Sequence, residues 1–226
     1  MIDNHEKAQK TDNPDKGTLA NKFVITIGRR MGSGGRALGR MLADRLGIAF
    51  YDKQLLFDAA KRAGMSPEIF ESKDERRPNF LGGILSFNMG LAPMSAYTRS
   101  SISDDAIYKA QSDFIHELAQ KESCVIVGRT ADYVLRDTPN VVNIFVHADT
   151  DDCARRIMER EPSLSFEQAR LLSEKTIKLR AGFYNFYTDK RWGDSGSYDM
   201  TFNSSTMSLE TIADVIVEYI SKNKKL

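Results

Sequence analysis

Phe23, Val24, Ile25 and Ile27 form a β-branched apolar run that stops at a cluster of glycines, Gly28, Gly32, Gly34 and Gly35. Leu38, Met41, Leu42 and Leu46 then recur at the helical period until Gly47. That order predicts a buried strand, a glycine loop and a helix. A short second strand is expected over 48–51 and a helix over 53–63. Ala106, Ile107, Ala110, Phe114 and Leu118 place an apolar stripe on another helix. The runs CVIV (124–127) and VVNIFV (141–146) are continuously apolar, as strands are inside a parallel sheet covered on both faces. Two cation-rich helices are expected over 151–161 and 166–181, then a strand over 200–203. Leu209, Ile212, Ala213, Ile216, Val217 and Ile220 give a last, amphipathic helix with Ser208 as its N-cap.

This alternation predicts an α/β chain, a three-layer α/β/α sandwich around a roughly five-stranded parallel sheet. Residues 1–21 are polar and are expected to be a disordered tail to one domain over 22–226. Residues 66–103 break the pattern with Pro67, Pro78, Pro93 and the pair Gly82-Gly83, and suggest an irregular insertion. Hydrophobic content of 41% is ample for a core, and a net charge of +1 gives no general pull toward nucleic acid or an anionic membrane. Two cysteines, Cys124 and Cys153, do not make a disulfide framework. With no apolar run of membrane length and a polar start, a cytoplasmic protein is expected.

The glycine loop carries most of the chemistry. Missing Cβ atoms let backbone N–H groups crowd around an anion, and the helix N-terminus adds partial positive charge. A phosphate is therefore the expected guest. The standard phosphate-loop spacing, GxxxxGK[ST], would put lysine after the second glycine and a hydroxyl beside it. With Gly34 as that glycine, Gly35 stands in the lysine position, neither Arg36 nor Ala37 supplies the hydroxyl, and Arg29 replaces the first glycine. Arg36 is the nearest replacement cation, with Arg29 or the later basic helices as alternatives. A dinucleotide pattern competes: Gly32, Gly34 and Ala37 satisfy GxGxx[G/A], with Asp52 at the distance of a ribose-binding acid.

Gly128 and Arg129 follow a buried strand, so Arg129 should emerge at the carboxyl edge of the sheet, where ligands of open α/β sheets bind, with Asp132 three residues on. Asp149 fits a helix cap. Arg155, Arg156, Arg160, Lys175, Lys178 and Arg180 suit a flap that closes over phosphates, since phosphoryl transfer relies on positioned cations. Phe183, Tyr184, Phe186, Tyr187 and Trp192 read as packing. The three histidines share no metal-ligand spacing.

Four segments, ITIGRRMGSGGRALGRMLADRLGIAFYDKQLL, VIVGRTADYVLRD, DDCARRIMER and RAGFYNFYTDKRWGD, together resemble the cytidylate kinase-like family of P-loop nucleoside monophosphate kinases. The resemblance implies an adenylate-kinase type of fold, with 66–103 as a monophosphate-binding insertion and 151–190 as a lid. It implies that Gly32, Ser33, Gly34, Gly35 and Arg36 cradle the ATP phosphates, and that Asp52, Arg129 and Asp132 face the acceptor. Arg156, Lys178 and Arg180 would be lid cations, and ATP with Mg²⁺ the phosphoryl donor. The chain departs from the family pattern at Gly35, at Asp52-Lys53-Gln54 in place of a threonine-glycine-alanine segment, and at Ile177 in place of a lid acid.

The expected activity is transfer of the γ-phosphoryl group of ATP to a nucleoside monophosphate, CMP or dCMP. The alternatives are a nucleotide-binding regulator that lost catalysis with its lysine, and a dinucleotide-dependent oxidoreductase.

Overall fold

The computed structural model describes residues 22–62 and 101–222. The tail expected over 1–21 and nearly all of the insertion expected over 66–103 lie outside the described residues. Five strands, β1 (Val24–Arg29), β2 (Ala49–Tyr51), β3 (Cys124–Val127), β4 (Val141–His147) and β5 (Met200–Asn203), form one parallel sheet in the order β2-β3-β1-β4-β5. The helices are α1 (Gly35–Leu46), α2 (Lys53–Arg62), α3 (Ser101–Lys121), α4 (Ala131–Val134), α5 (Thr150–Arg160), α6 (Phe166–Tyr187) and α7 (Leu209–Lys222).

Alternation along the strands sends side chains to two separate cores. Ile25, Ile27, Val125, Val127, Val142, Ile144 and Val146 pack on one face against Leu38 and Leu42 of α1 and Ile212 and Ile216 of α7. Val24, Cys124 and Ile126 pack on the other face against Phe114, Ile115 and Leu118 of α3 and Leu135. Both faces being covered explains why the strands read as unbroken apolar runs. The polar exception, Thr26, is buried and donates to Asn143 Oδ1 at 2.7 Å. A third cluster, Ala154, Ile157, Ala169 and Leu172, holds α5 to α6.

The order makes β1 central, with β2 and β3 to one side and β4 and β5 to the other. Such a reversal leaves a crevice at the carboxyl ends of the strands. The segments after β1, β3 and β4 all open there. No helix among the described residues is long and apolar enough to cross a membrane.

Two element boundaries differ from expectation. The third helix begins at Ser101, so the last residues assigned to the insertion are helical. The helix expected to end at 181 continues through an exposed Gly182 to Tyr187 and carries most of the aromatic stretch.

Candidate active site

The loop between β1 and α1 turns its carbonyls into the protein. The carbonyl of Arg29 accepts from Arg180 Nη1 (3.0 Å), that of Arg30 from the Ser33 hydroxyl (2.9 Å), and that of Met31 from the Ser173 hydroxyl (3.1 Å). Gly32 accepts from Arg156 Nη1 (3.4 Å) and Ser33 from the Ser204 hydroxyl (2.8 Å). Gly32 and Gly34 adopt left-handed backbone (φ 85° and 80°), which non-glycine residues rarely do. A Cβ at Gly32 would also collide with the Cys153 backbone of α5. The N–H groups of Met31, Gly32, Gly34, Gly35, Arg36 and Ala37 have no acceptor among the described residues. Carbonyls fixed inward and donors left open at the start of a helix are an arrangement that can accept an anion.

Cations crowd the same edge. Burial, together with the neighbouring guanidinium groups of Arg180 and Arg129, pushes the Arg29 pKa down to about 9. Burial brings Arg129 to about 10, and burial together with the Arg160 charge lowers Arg180 as well. Neither Arg29 nor Arg129 makes a side-chain hydrogen bond or ion pair among the described residues. A desolvated cation without a partner is costly, so the cluster favours an anionic guest.

Arg129 owes its position to backbone strain. Gly128, Arg129 and Thr130 are successively left-handed, at φ 79°, 60° and 50°. For arginine and a β-branched threonine that costs on the order of 1–3 kcal/mol each, and such strain clusters at functional sites. The Thr130 hydroxyl lies 2.7 Å from the Arg129 carbonyl and 3.2 Å from the Tyr108 hydroxyl, which helps to hold the turn.

Arg36, expected over the loop phosphates, donates Nε to Asp52 Oδ2 at 2.6 Å from a largely exposed side chain. Two expected site residues thus meet in one ion pair. Asp52 Oδ1 also accepts from the Leu55 N–H at 3.0 Å, capping α2. Burial alone would raise this carboxyl, but the Leu55 N–H and the Arg36 guanidinium outweigh burial and hold it below the ordinary range. Asp52 is therefore engaged where a dinucleotide ribose would need it free. Asp132 is buried in α4 and accepts from the Tyr184 hydroxyl at 2.6 Å. Burial raises its carboxyl above the usual value against the pull of that hydrogen bond.

The expected lid cations fall into three situations. Arg156 is a strap: Nη2 donates to the Ser204 carbonyl (2.7 Å) and Nη1 to the Ser204 hydroxyl (2.9 Å), in addition to Gly32. Arg180 is a second strap, through Arg29. Lys178 is exposed on α6. Asp149 occupies the N-cap position of α5 without a side-chain cap bond. Of the aromatics, Tyr184 is buried, whereas Phe183 and Phe186 are exposed, and Tyr187 stacks on Tyr108 at 4.2 Å. Ser204, Ser173 and Tyr184 carry no sequence signal of a site role. Each acts across more than fifty positions of sequence, which periodicity does not encode.

The glycine cradle fits a polyphosphate. Magnesium is less well provided for. The Ser33 hydroxyl is spent on the carbonyls of Arg30 and Val146, the usual loop hydroxyl position is Arg36, and no group of three metal-ligating side chains occurs among the described residues.

The cytidylate kinase-like family model matches residues 24–206. A cytidylate kinase of Methanosarcina barkeri is 27% identical over 197 residues, covering 85% of this chain and 93% of its own length. A solved but uncharacterized protein from Eubacterium ventriosum superposes with a TM-score of 0.67 at 30% identity, over 89% of this chain and 100% of that one. A shikimate kinase from Acinetobacter baumannii shares the fold, with a TM-score of 0.50 at 16% identity over 90% of this chain and 95% of its own.

Proposed function

The chain belongs to the cytidylate kinase-like family, and from that premise we propose that it transfers the γ-phosphoryl group of ATP to CMP or dCMP. One observation carries the reading: the β1–α1 loop turns five successive carbonyls inward and leaves its N–H groups open beside three desolvated arginines. In the transfer, an oxygen of the acceptor phosphate attacks the γ-phosphorus, the bond to the β-phosphate bridging oxygen breaks, and ADP leaves. No covalent enzyme intermediate is needed, because positioning and charge neutralisation supply most of the catalysis.

In this reading Gly32, Gly34 and Gly35 hold the ATP phosphates through backbone N–H groups, as does the backbone of Arg36. Ser33 supports the cradle from within, its hydroxyl turned to Arg30 and Val146. Arg129 binds the acceptor phosphate. Asp52 and Asp132 line the acceptor side, the first steadied by Arg36 and the second by Tyr184. Arg180 and the exposed Lys178 approach the phosphates from α6, while Arg156 keeps the loop shaped for them. Magnesium supplies charge neutralisation when it enters with ATP. It would be held largely by phosphate oxygens and water, since the described residues add few ligands.

A coupled assay of ADP release across the common nucleoside monophosphates tests the proposal. Turnover with CMP or dCMP supports it. ATP binding without turnover on any monophosphate would instead select a nucleotide-binding regulator.

A further inference from the structure

We infer that Arg29 is the phosphate-binding cation of this site, displaced from the end of the glycine loop to its beginning, and that Gly35 leaves room for its stem. The inference rests on the kinase reading above. A Cβ at Gly35 would lie 2.6 Å from Arg29 Cβ, closer than real Cβ atoms come. On this backbone a side chain at 35 and any residue other than glycine at 29 therefore exclude each other, so a lysine at 35 cannot coexist with Arg29. On the other side, a Cβ at Gly128 would run into Arg29 Nη1. The Arg29 side chain thus runs from its stem beside Gly35 to its guanidinium beside Gly128, at the start of the strained turn that carries Arg129, where φ 79° selects glycine by itself.

The surroundings say what that side chain is for. Arg180 fixes the Arg29 main chain through its carbonyl, at 3.0 Å. Burial and the nearby positive charges of Arg180 and Arg129 weaken the hold of the Arg29 guanidinium on its proton, and Asp52 is the carboxylate that opposes them. That carboxylate is already bound to Arg36 at 2.6 Å and to the Leu55 N–H. Among the described residues the cluster thus keeps a surplus of positive charge, which suits a phosphate carrying several negative oxygens. A guanidinium can bridge two of those oxygens, whereas a loop lysine offers a point charge. Arg29 lies between the cradle and Arg129, between the proposed donor and acceptor phosphates, where charge shifts during transfer.

Four variants test this, with kcat, KM for ATP and for CMP, ATP binding by calorimetry, and thermal unfolding as readouts. Arg29→Ala should lower kcat by about a hundredfold, as loss of one electrostatic donor does elsewhere. Its KM for CMP and its melting temperature should stay near wild type. Arg29→Lys should recover part of the loss. Gly35→Lys alone should be inactive, because the lysine stem and Arg29 compete for one space. Combining Gly35→Lys with Arg29→Gly rebuilds the usual loop and should restore activity to within about tenfold of wild type. A kcat for Arg29→Ala within threefold of wild type overturns the inference. So does a folded double variant no more active than Gly35→Lys. A wild-type protein that turns over no monophosphate overturns the kinase reading and this inference with it. Normal wild-type turnover with an indifferent Arg29 overturns this inference alone.

Discussion

Replacing Tyr184 by phenylalanine removes one hydroxyl and leaves the ring in place. That hydroxyl donates to Asp132 Oδ2 at 2.6 Å, with both residues buried. A hydrogen bond to a charged group contributes roughly 1.5–3 kcal/mol. The backbone dipoles of Asp132 and Tyr133 also favour the carboxylate, so a loss of about 2 kcal/mol is expected. For a chain of this size that corresponds to a fall in melting temperature of about 4–8 °C. The pH dependence follows from the sign of the shift. Burial raises the Asp132 pKa in the folded protein, and the Tyr184 hydroxyl opposes that rise. A carboxyl with a raised folded value contributes stability that is present below its unfolded pKa, about 3.9, and is lost as pH rises through the folded value. Removing the hydroxyl raises the folded value further. The deficit of Tyr184→Phe should therefore be larger near about pH 8 than near about pH 4.5, and it should be small and flat in an Asp132→Asn background. Calorimetric melts of the four proteins across this range make the measurement. An unchanged melting temperature at every pH, or a deficit that grows toward acid, would refute the assignment.

Asp52 should show the opposite trend: its folded pKa is depressed by the Leu55 N–H and Arg36 against burial, so its contribution is present above about pH 3.9 and is lost as pH falls through the folded value. Melts should place Asp52→Asn below wild type at neutral pH, with the gap closing in acid. Arg156→Ala should lose about 2 kcal/mol of stability as well as turnover, because it removes the strap between Ser204 and Gly32; denaturant titration together with the kinetic assay separates this from a purely catalytic role. Arg129→Ala should weaken binding of the monophosphate while leaving ATP binding nearly intact. Calorimetry that finds ATP binding the more affected would move Arg129 to the donor side.

The sheet could be read from the chain because a parallel strand covered on both faces leaves continuous apolar runs, and all five strands lie where such runs or short apolar segments stand. Helix ends were harder to read. Gly182 and the exposed Phe183 and Phe186 break the stripe of α6, yet the helix continues to Tyr187, with Tyr184 anchored on Asp132. Ser101 starts α3 before any apolar periodicity begins. At the site, the glycine pattern pointed to a phosphate cradle, since φ above zero and close approach to α5 both select glycine. The Arg36–Asp52 pair and the loop contacts of Ser173, Ser204 and Arg180 could not be read, because they depend on how the strands are ordered. The collision between positions 29 and 35 is of the same kind: the anomalous Gly35 is visible in the sequence, but its reason is not.

The proposed reaction is phosphoryl transfer between two bound nucleotides. Incubating the full chain with γ-³²P-labelled ATP, magnesium and CMP or dCMP, then separating the products, tests it directly. Label in CDP or dCDP with matching formation of ADP is the expected result. Label that stays in ATP, or appears only as inorganic phosphate with every monophosphate tried, would contradict it.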